Sequence, residues 1–263
     1  MNLTKLRDKL HTRDTVRVRN DRVRQFGCVK LVERVLTPVA RPFKDEDAAK
    51  GWLDYSNSEL WLYHTGNCRI EQWSQLATIW KTLYASSKSK AVNSAYGHVF
   101  KADQSGGSQW TRAKELLLAD KHTRRAFVQF LLPEFSTDKV DVPCSVIASF
   151  NASQRDLSLL PAQDFGIDVV YFMRSTDILY GLPHDIIWAK SLSMRMQMEL
   201  AKAKGLAKCH LSRTSTVTFV TANLHEYYSH QVPVDQPSRH FKLDYVEGIL
   251  DFIVFGSNNE ARG

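Results

Sequence analysis

The 263-residue chain predicts an α/β (α+β) fold, with a large, mostly non-parallel sheet, a long central helix and flanking helices. Three observations carry that expectation. Before residue 120, tryptophans, leucines and isoleucines recur at helical spacings. After residue 126, the chain changes to short β-branched or aromatic runs between turn residues. One long helical repeat, from about Asp185 to Lys204, interrupts those runs.

In order, residues 1–50 read as an irregular basic lead-in with one strand at Cys28 to Leu36. Ala48 to Trp61 and Ile70 to Ala85 read as helices separated by a turn at Gly66-Asn67, and Ser86 to Lys90 reads as a loop. Gly106-Gly107-Ser108 then introduces a helix over Trp110 to Ala119. Strands are expected at Ala126 to Leu132, Cys144 to Ala152, Leu157 to Leu160, Ile167 to Met173 and Val217 to Ala222. In the long helix Ile187, Ser191, Met194, Met198 and Ala201 share a helical repeat. Its methionines read as core, because flexible thioethers fill irregular packing gaps. No internal repeat or low-complexity tract divides the chain, so one domain over residues 1–263 is expected.

An apolar content of 43% with 24% charged residues suits a chain with a packed core. The formal charge of +7 suits an anionic partner. Nucleic acid is the less favoured one, because no aromatics interleave with the basic cluster Arg13 to Arg24, which serves equally as a solvated face. A phosphorylated small substrate uses the same charge. Cysteines at 28, 68, 144 and 209 have neither Cys-x-x-Cys spacing nor the density of a disulfide scaffold, which points to a reducing compartment and away from a zinc site. The start, MNLTKLRDKLHTRDT, has no apolar stretch that could serve as a signal peptide or membrane span. A cytoplasmic location is expected, the host cytoplasm if the source is viral, with no membrane partner.

Cys144 follows Pro143 at the start of an apolar strand. Taken alone, it reads as a small buried hydrophobe. Thirty residues on, Arg174-Ser175 offers a guanidinium fork and a hydroxyl, the pair needed to hold a phosphate. Around them stand Glu59-Leu60-Trp61 with Gly66 beyond, Ile79-Trp80, Asn93-Ser94-Ala95-Tyr96-Gly97 and Thr123-Arg124-Arg125. Further on come Met173 to Asp177, Gly181-Leu182-Pro183-His184-Asp185-Ile186 and Asn223-Leu224-His225-Glu226-Tyr227. Over roughly residues 57–230, in order and spacing, these segments resemble the thymidylate synthase superfamily. The Asn-Ser-x-Tyr-Gly run and Asp185-x-x-Trp188 are similar to the phage deoxycytidylate hydroxymethylases within it.

The resemblance implies a thymidylate synthase-like fold and a role for each matched residue. Cys144 attacks C6 of a pyrimidine nucleoside monophosphate. Glu59 manages protons and water near C4, and Tyr96 assists removal of the C5 proton. Arg174 and Ser175 grip the phosphate, Arg124 and Arg125 reach across to the partner's phosphate, and His225 and Tyr227 hold the sugar 3′-hydroxyl. Trp80 and Asp177 face the folate, and Asp185 reads the base. It further implies 5,10-methylenetetrahydrofolate as the co-substrate, no metal, and a homodimer with shared active sites. For the family's amino-terminal phosphate arginine, Arg19, Arg22 and Arg24 are equivalent candidates.

Departures from the family pattern narrow the activity. Ser145 stands where the synthases have His, Met173 where they have Gln, and Thr221-Ala222-Asn223 where they have Gly-Gly-Asp. The end of the chain, Gly256 to Gly263, lacks their apolar tail. Asp185 replaces the asparagine that matches the N3–H donor and O4 acceptor of uracil. Cytosine reverses that pair, so an ionised carboxylate takes the N4 hydrogen bond and repels the O4 of uracil. If N3 gains a proton as the thiolate adds, the carboxylate stabilises the charge that develops. Asp185 also reads as the N-cap of a helix starting there. The expected reaction starts from a Cys144 thiolate whose pKa nearby arginines lower. It ends with water, oriented by Glu59, completing 5-hydroxymethyl-dCMP. CMP as substrate, methyl transfer to dUMP or dCMP, and an inactive nucleotide-binding protein remain open alternatives.

Overall fold

The computed structural model describes residues 6, 9, 15–18, 21–43, 45–77, 80, 91–103, 106–136, 141–152, 166–206, 211, 214–227, 238–240, 250, 253 and 254. The strands among them are β1 (Thr15–Val18), β2 (Asp21–Phe26), β3 (Val29–Arg34), β4 (Ala40–Pro42), β5 (Phe127–Gln129) and β6 (Ser145–Ala152). They continue with β7 (Ile167–Met173), β8 (Thr176–Asp177), β9 (Thr216–Thr221), β10 (Leu224–Tyr227) and β11 (Ser238–His240). The α-helices are α1 (Glu46–His64), α2 (Ile70–Leu76), α3 (Gln109–Ala119), α4 (Pro133–Ser136) and α5 (Gly181–Ala203), with a 3₁₀ segment at Tyr96–Phe100.

The main sheet has the order β3-β9-β7-β6-β5, and every pair in it is antiparallel except β7 with β9. A second sheet, β1-β2-β10-β8, is antiparallel except where β10 meets β8. The mostly non-parallel arrangement is therefore present, divided among three sheets, the smallest of which pairs β4 with β11. α5 packs across β7 and β9. From Leu182 to Ala201 nearly all its side chains are buried, as befits a helix enclosed on all sides. Several of its polar residues are satisfied internally. Ser193 Oγ donates to the Ile167 carbonyl at 2.5 Å, and Lys190 Nζ donates to that of Thr37 at 2.6 Å. Trp188 at its centre meets the rings of Tyr63, Tyr96, Phe100 and Phe130.

Local chemistry sets the helix starts. Asp45 accepts the Ala48 N–H at 2.7 Å to cap α1, and Ser108 accepts that of Thr111 at 3.0 Å to cap α3. At the turn after α1, Gly66 adopts φ 70°. β6 carries a bulge between Ser145 and Ile147, directly after Cys144. A bulge bends a strand and re-aims its side chains, and this one lies at the position of the expected nucleophile.

Four expectations need correction. Residues 1–50 are not irregular apart from one strand: β1 and β2 form a hairpin in which valines alternate with charged residues, and β4 pairs with β11. The expected helix from Ile70 ends at Leu76, because Ala77 is extended (φ −158°, ψ 153°). A continuous helix would hold Trp73 and Trp80 about 10 Å apart, whereas the bend brings their rings edge-on at 4.7 Å. The strand expected over Ala126 to Leu132 is reduced to β5, followed by the short helix α4. The long helix begins at Gly181, one turn before Asp185, with Pro183 in the first turn where its missing N–H costs nothing. The expected strand at Leu157 to Leu160, the loop Ser86 to Lys90, Ile79 and the terminal Gly256 to Gly263 lie outside the described residues.

Candidate active site

The amino-terminal turn of α5, one face of α1, the β7–β8 junction and Cys144 enclose a cavity of about 780 Å³, a size that suits a small-molecule ligand. Glu59, Trp80, Tyr96, Cys144, Ser175, Asp177, Asp185 and His225 all line it. Arg124, Arg125, Arg174 and Tyr227 are not among its lining residues.

Cys144 is held from both sides. Its carbonyl accepts the Arg174 N–H at 2.9 Å, while the Arg174 guanidinium donates from Nε to the Pro143 carbonyl at 3.0 Å and from Nη2 to that of Val142 at 2.8 Å. Arg174 thus clamps the segment that presents the thiol. Burial pushes the thiol above its ordinary pKa, and Asp185 and Asp141 add to that rise while Arg174 opposes it. The expected lowering by arginines comes here from Arg174 alone, and burial outweighs it. The Tyr96 hydroxyl accepts the Ser145 N–H at 3.3 Å, which sets the phenol beside the nucleophile's own strand.

The turn carrying Tyr96 is tied to the same segment by a residue that sequence reasoning missed. Asp141 is buried three residues before Cys144, and its carboxylate accepts the N–H groups of Asn93 (2.7 Å) and Ser94 (3.3 Å) and the Ser94 hydroxyl. Asn93 Nδ2 also donates to its carbonyl at 3.0 Å. No spacing rule links residue 141 to residue 93, so only the folded contact reveals it. Gly97 is required for close approach, since a Cβ there would lie 2.2 Å from the Tyr63 carbonyl oxygen.

Glu59 stands in an aromatic wall. Tyr63 donates its hydroxyl to Oε1 at 2.6 Å. His184 brings Nε2 to 3.2 Å from Oε2, close but out of line for a hydrogen bond. Trp80 Nε1 donates to the Tyr55 hydroxyl at 3.2 Å. Burial first, and Glu59 second, push the ionisation of Tyr55 far above the ordinary phenol value. Tyr55 and Tyr63 were missed, although a signal was present: with Glu59 they are spaced by four, on one face of α1.

Asp185 is buried in the second turn of α5. Its Oδ2 accepts the Thr176 hydroxyl at 2.6 Å. Burial raises its pKa from 3.8 to about 7, with Glu59 and Asp177 adding to the rise and the Thr176 hydrogen bond opposing it. Gly181 leaves room for this pair, because a Cβ there would lie 2.7 Å from Thr176 Oγ1 and 3.4 Å from Asp185 Oδ2. Asp185 does not cap the helix: Tyr180 occupies that position, and Asp177 Oδ1 accepts the N–H groups of Leu179 and Tyr180, each at 2.8 Å.

The parallel pairing of β8 with β10 sets His225 opposite Asp177 and brings His225 Nδ1 to 3.1 Å from Ser175 Oγ. Tyr227 meets the His225 ring at right angles, 5.1 Å away. Arg124 and Arg125 are exposed on the loop before β5. Of the three amino-terminal arginines, Arg24 stands in β2 opposite Glu226 of β10, and the side chains of Arg19 and Arg22 lie outside the description. Among the described residues, no group of three His, Cys, Asp or Glu side chains is arranged to hold a metal, and no helix is long and apolar enough to cross a membrane.

Comparison with solved structures finds 287 matching chains. One is the crystal structure of thymidylate synthase from T4 phage, with a TM-score of 0.63 and 15% identity, covering 97% of this chain and 91% of that chain. No family model and no curated protein matches the sequence. The likeness establishes a thymidylate synthase-like fold, in accord with the expectation from the motifs.

Proposed function

We propose that this chain is a folate-dependent pyrimidine nucleotide hydroxymethylase, which transfers a one-carbon unit from 5,10-methylenetetrahydrofolate to C5 of dCMP and completes 5-hydroxymethyl-dCMP with water. The observation that carries this reading is a buried Asp185, with a pKa near 7, in the same cavity as Cys144, Glu59 and Tyr96. Near neutral pH both of its forms suit cytosine. The ionised carboxylate accepts from N4, and the protonated acid both accepts from N4 and donates to N3. Uracil, with a donor at N3 and an acceptor at O4, mismatches the ionised carboxylate at O4 and fits only the protonated acid, so selection of cytosine rests on the ionised form.

The residues divide the work as follows. Ser175 and His225 hold the nucleotide, and Arg174 adds to the phosphate grip while clamping the Cys144 segment. Cys144 Sγ adds to C6, and Tyr96 helps remove the C5 proton. Trp80 and Trp52 give the cavity flat aromatic surface on which a pterin can stack, with Asp177 nearby. When bound, the folate supplies the carbon at the oxidation level of formaldehyde. In the last step, water oxygen bonds to the exocyclic methylene carbon on C5 as Glu59 takes the water's proton. The electron pair returns through C5 to re-form C5=C6, and the C6–S bond breaks to release the Cys144 thiolate.

A homodimer with shared sites belongs to the same reading. Phe127, Ser149, Val170, Thr218 and Val32 form one row across all five strands of the main sheet. Phe127, Val170 and Val32 in that row are exposed. An apolar row across a sheet face suits a second copy, and the family resemblance assigns the exposed Arg124 and Arg125 to that copy's phosphate.

The test is tritium release from C5-labelled dCMP, CMP and dUMP with the folate present, followed by product mass. Release from dCMP with a mass gain of one CH₂O is expected, and Cys144→Ser should abolish it because a hydroxyl is far less ionised than a thiol. Release confined to dUMP, or a mass gain of one CH₂, contradicts the proposal.

A further inference from the structure

Tyr55, Tyr63 and His184 surround the Glu59 carboxylate, and of these His184 is out of line for a hydrogen bond to it. Tyr63 donates to Oε1 at 2.6 Å, whereas His184 Nε2 lies 3.2 Å from Oε2 and out of line. His184 is 7% exposed, lines the cavity from the first turn of α5, and has no hydrogen-bond partner on either ring nitrogen. The Tyr55 and Tyr63 rings each lie 6.3 Å from its own. Aromatic neighbours of this kind accommodate phenylalanine equally well, and phenylalanine carries no buried nitrogen to leave unsatisfied. An imidazole here is therefore a cost to stability unless it acts on Glu59.

We propose that His184 is a positioning residue for Glu59. Its Nε2–H donates to Oε2 while Tyr63 donates to Oε1, so the carboxylate is fixed in orientation. Each oxygen keeps a second lone-pair site, through which Glu59 accepts the proton of the attacking water. This inference rests on the hydroxymethylase reading.

The experiment compares His184→Phe and His184→Gln in the full-length protein, with dCMP and 5,10-methylenetetrahydrofolate as substrates and with thermal unfolding of the unliganded protein as a second measurement. Removing the donor is expected to lower kcat for His184→Phe by about 100-fold, the usual scale for a disturbed general base. KM for dCMP should move far less, and Tm should stay at or above that of the wild type. His184→Gln can still donate to Oε2 and should keep about a tenth or more of the wild-type kcat, with a lower Tm. A purely structural role predicts the opposite order, with activity following stability. An active His184→Phe, or equal loss in both variants, overturns the inference while leaving the hydroxymethylase reading intact. A wild type that turns over no cytidine nucleotide overturns the reading and the inference together.

Discussion

Asp185 holds its proton in the folded protein across a range where an unfolded chain has lost it. Its folded pKa of about 7 stands above the ordinary value of 3.8, chiefly because of burial. Between those two values the folded state binds more protons than the unfolded state, so stability falls as pH rises through the window and levels off above it. The slope is at most about 1.4 kcal/mol per pH unit for one group. Asp185→Asn cannot ionise and should lack this contribution. Urea unfolding at a series of pH values between about 4 and 8 should show the variant gaining on the wild type as pH rises through that window. Parallel stability curves would mean that Asp185 ionises freely in the fold and that its burial has no energetic effect.

The site depends on elements approaching closely, and Gly97 shows how closely. An alanine Cβ there would lie 2.2 Å from the Tyr63 carbonyl oxygen, backbone against backbone, so either α1 or the Tyr96 turn must move. Gly97→Ala should destabilise by about 2 kcal/mol or more, with a matching fall in turnover, both read from urea midpoints and the tritium assay. Wild-type values for both would show that the turn is slack. The same closeness decides what the sequence revealed. α1, α3, β3, β6, β7 and β9 were legible because each carries its own periodicity. The break at Ala77 was not, because it answers to the packing of Trp80 on Trp73. The early start of α5 was hidden too, since Asp177 organises the turn before it. Of the site, Cys144, Glu59, Tyr96 and Asp185 were visible through their motifs. Asp141 and His184 meet Asn93 and Glu59, residues far away in the chain, and Thr176 meets Asp185 across the turn before α5, contacts that no local periodicity records.

At the scale of the whole molecule, Phe127, Val170 and Val32 are exposed on one face of the main sheet and Arg124 and Arg125 are exposed before β5, and the proposed homodimer would use both. If sites are shared, Arg125→Ala and Cys144→Ser chains, each inactive alone, should regain activity when mixed and allowed to exchange, because one hybrid site keeps both functions. No recovery in a mixture shown by mass to contain heterodimer would place Arg125 outside its partner's site.

The central claim is that Asp185 selects cytosine. A site built to hydrogen-bond one polar edge rejects the mismatched base by about 10⁴-fold or more, because buried polar groups are left unpaired. The most direct measurement is kcat/KM for tritium release from dCMP and dUMP in wild type and Asp185→Asn. The account predicts a wild-type preference for dCMP that swings toward dUMP in the variant. A wild type that already prefers dUMP, or a preference unchanged by the substitution, would contradict it.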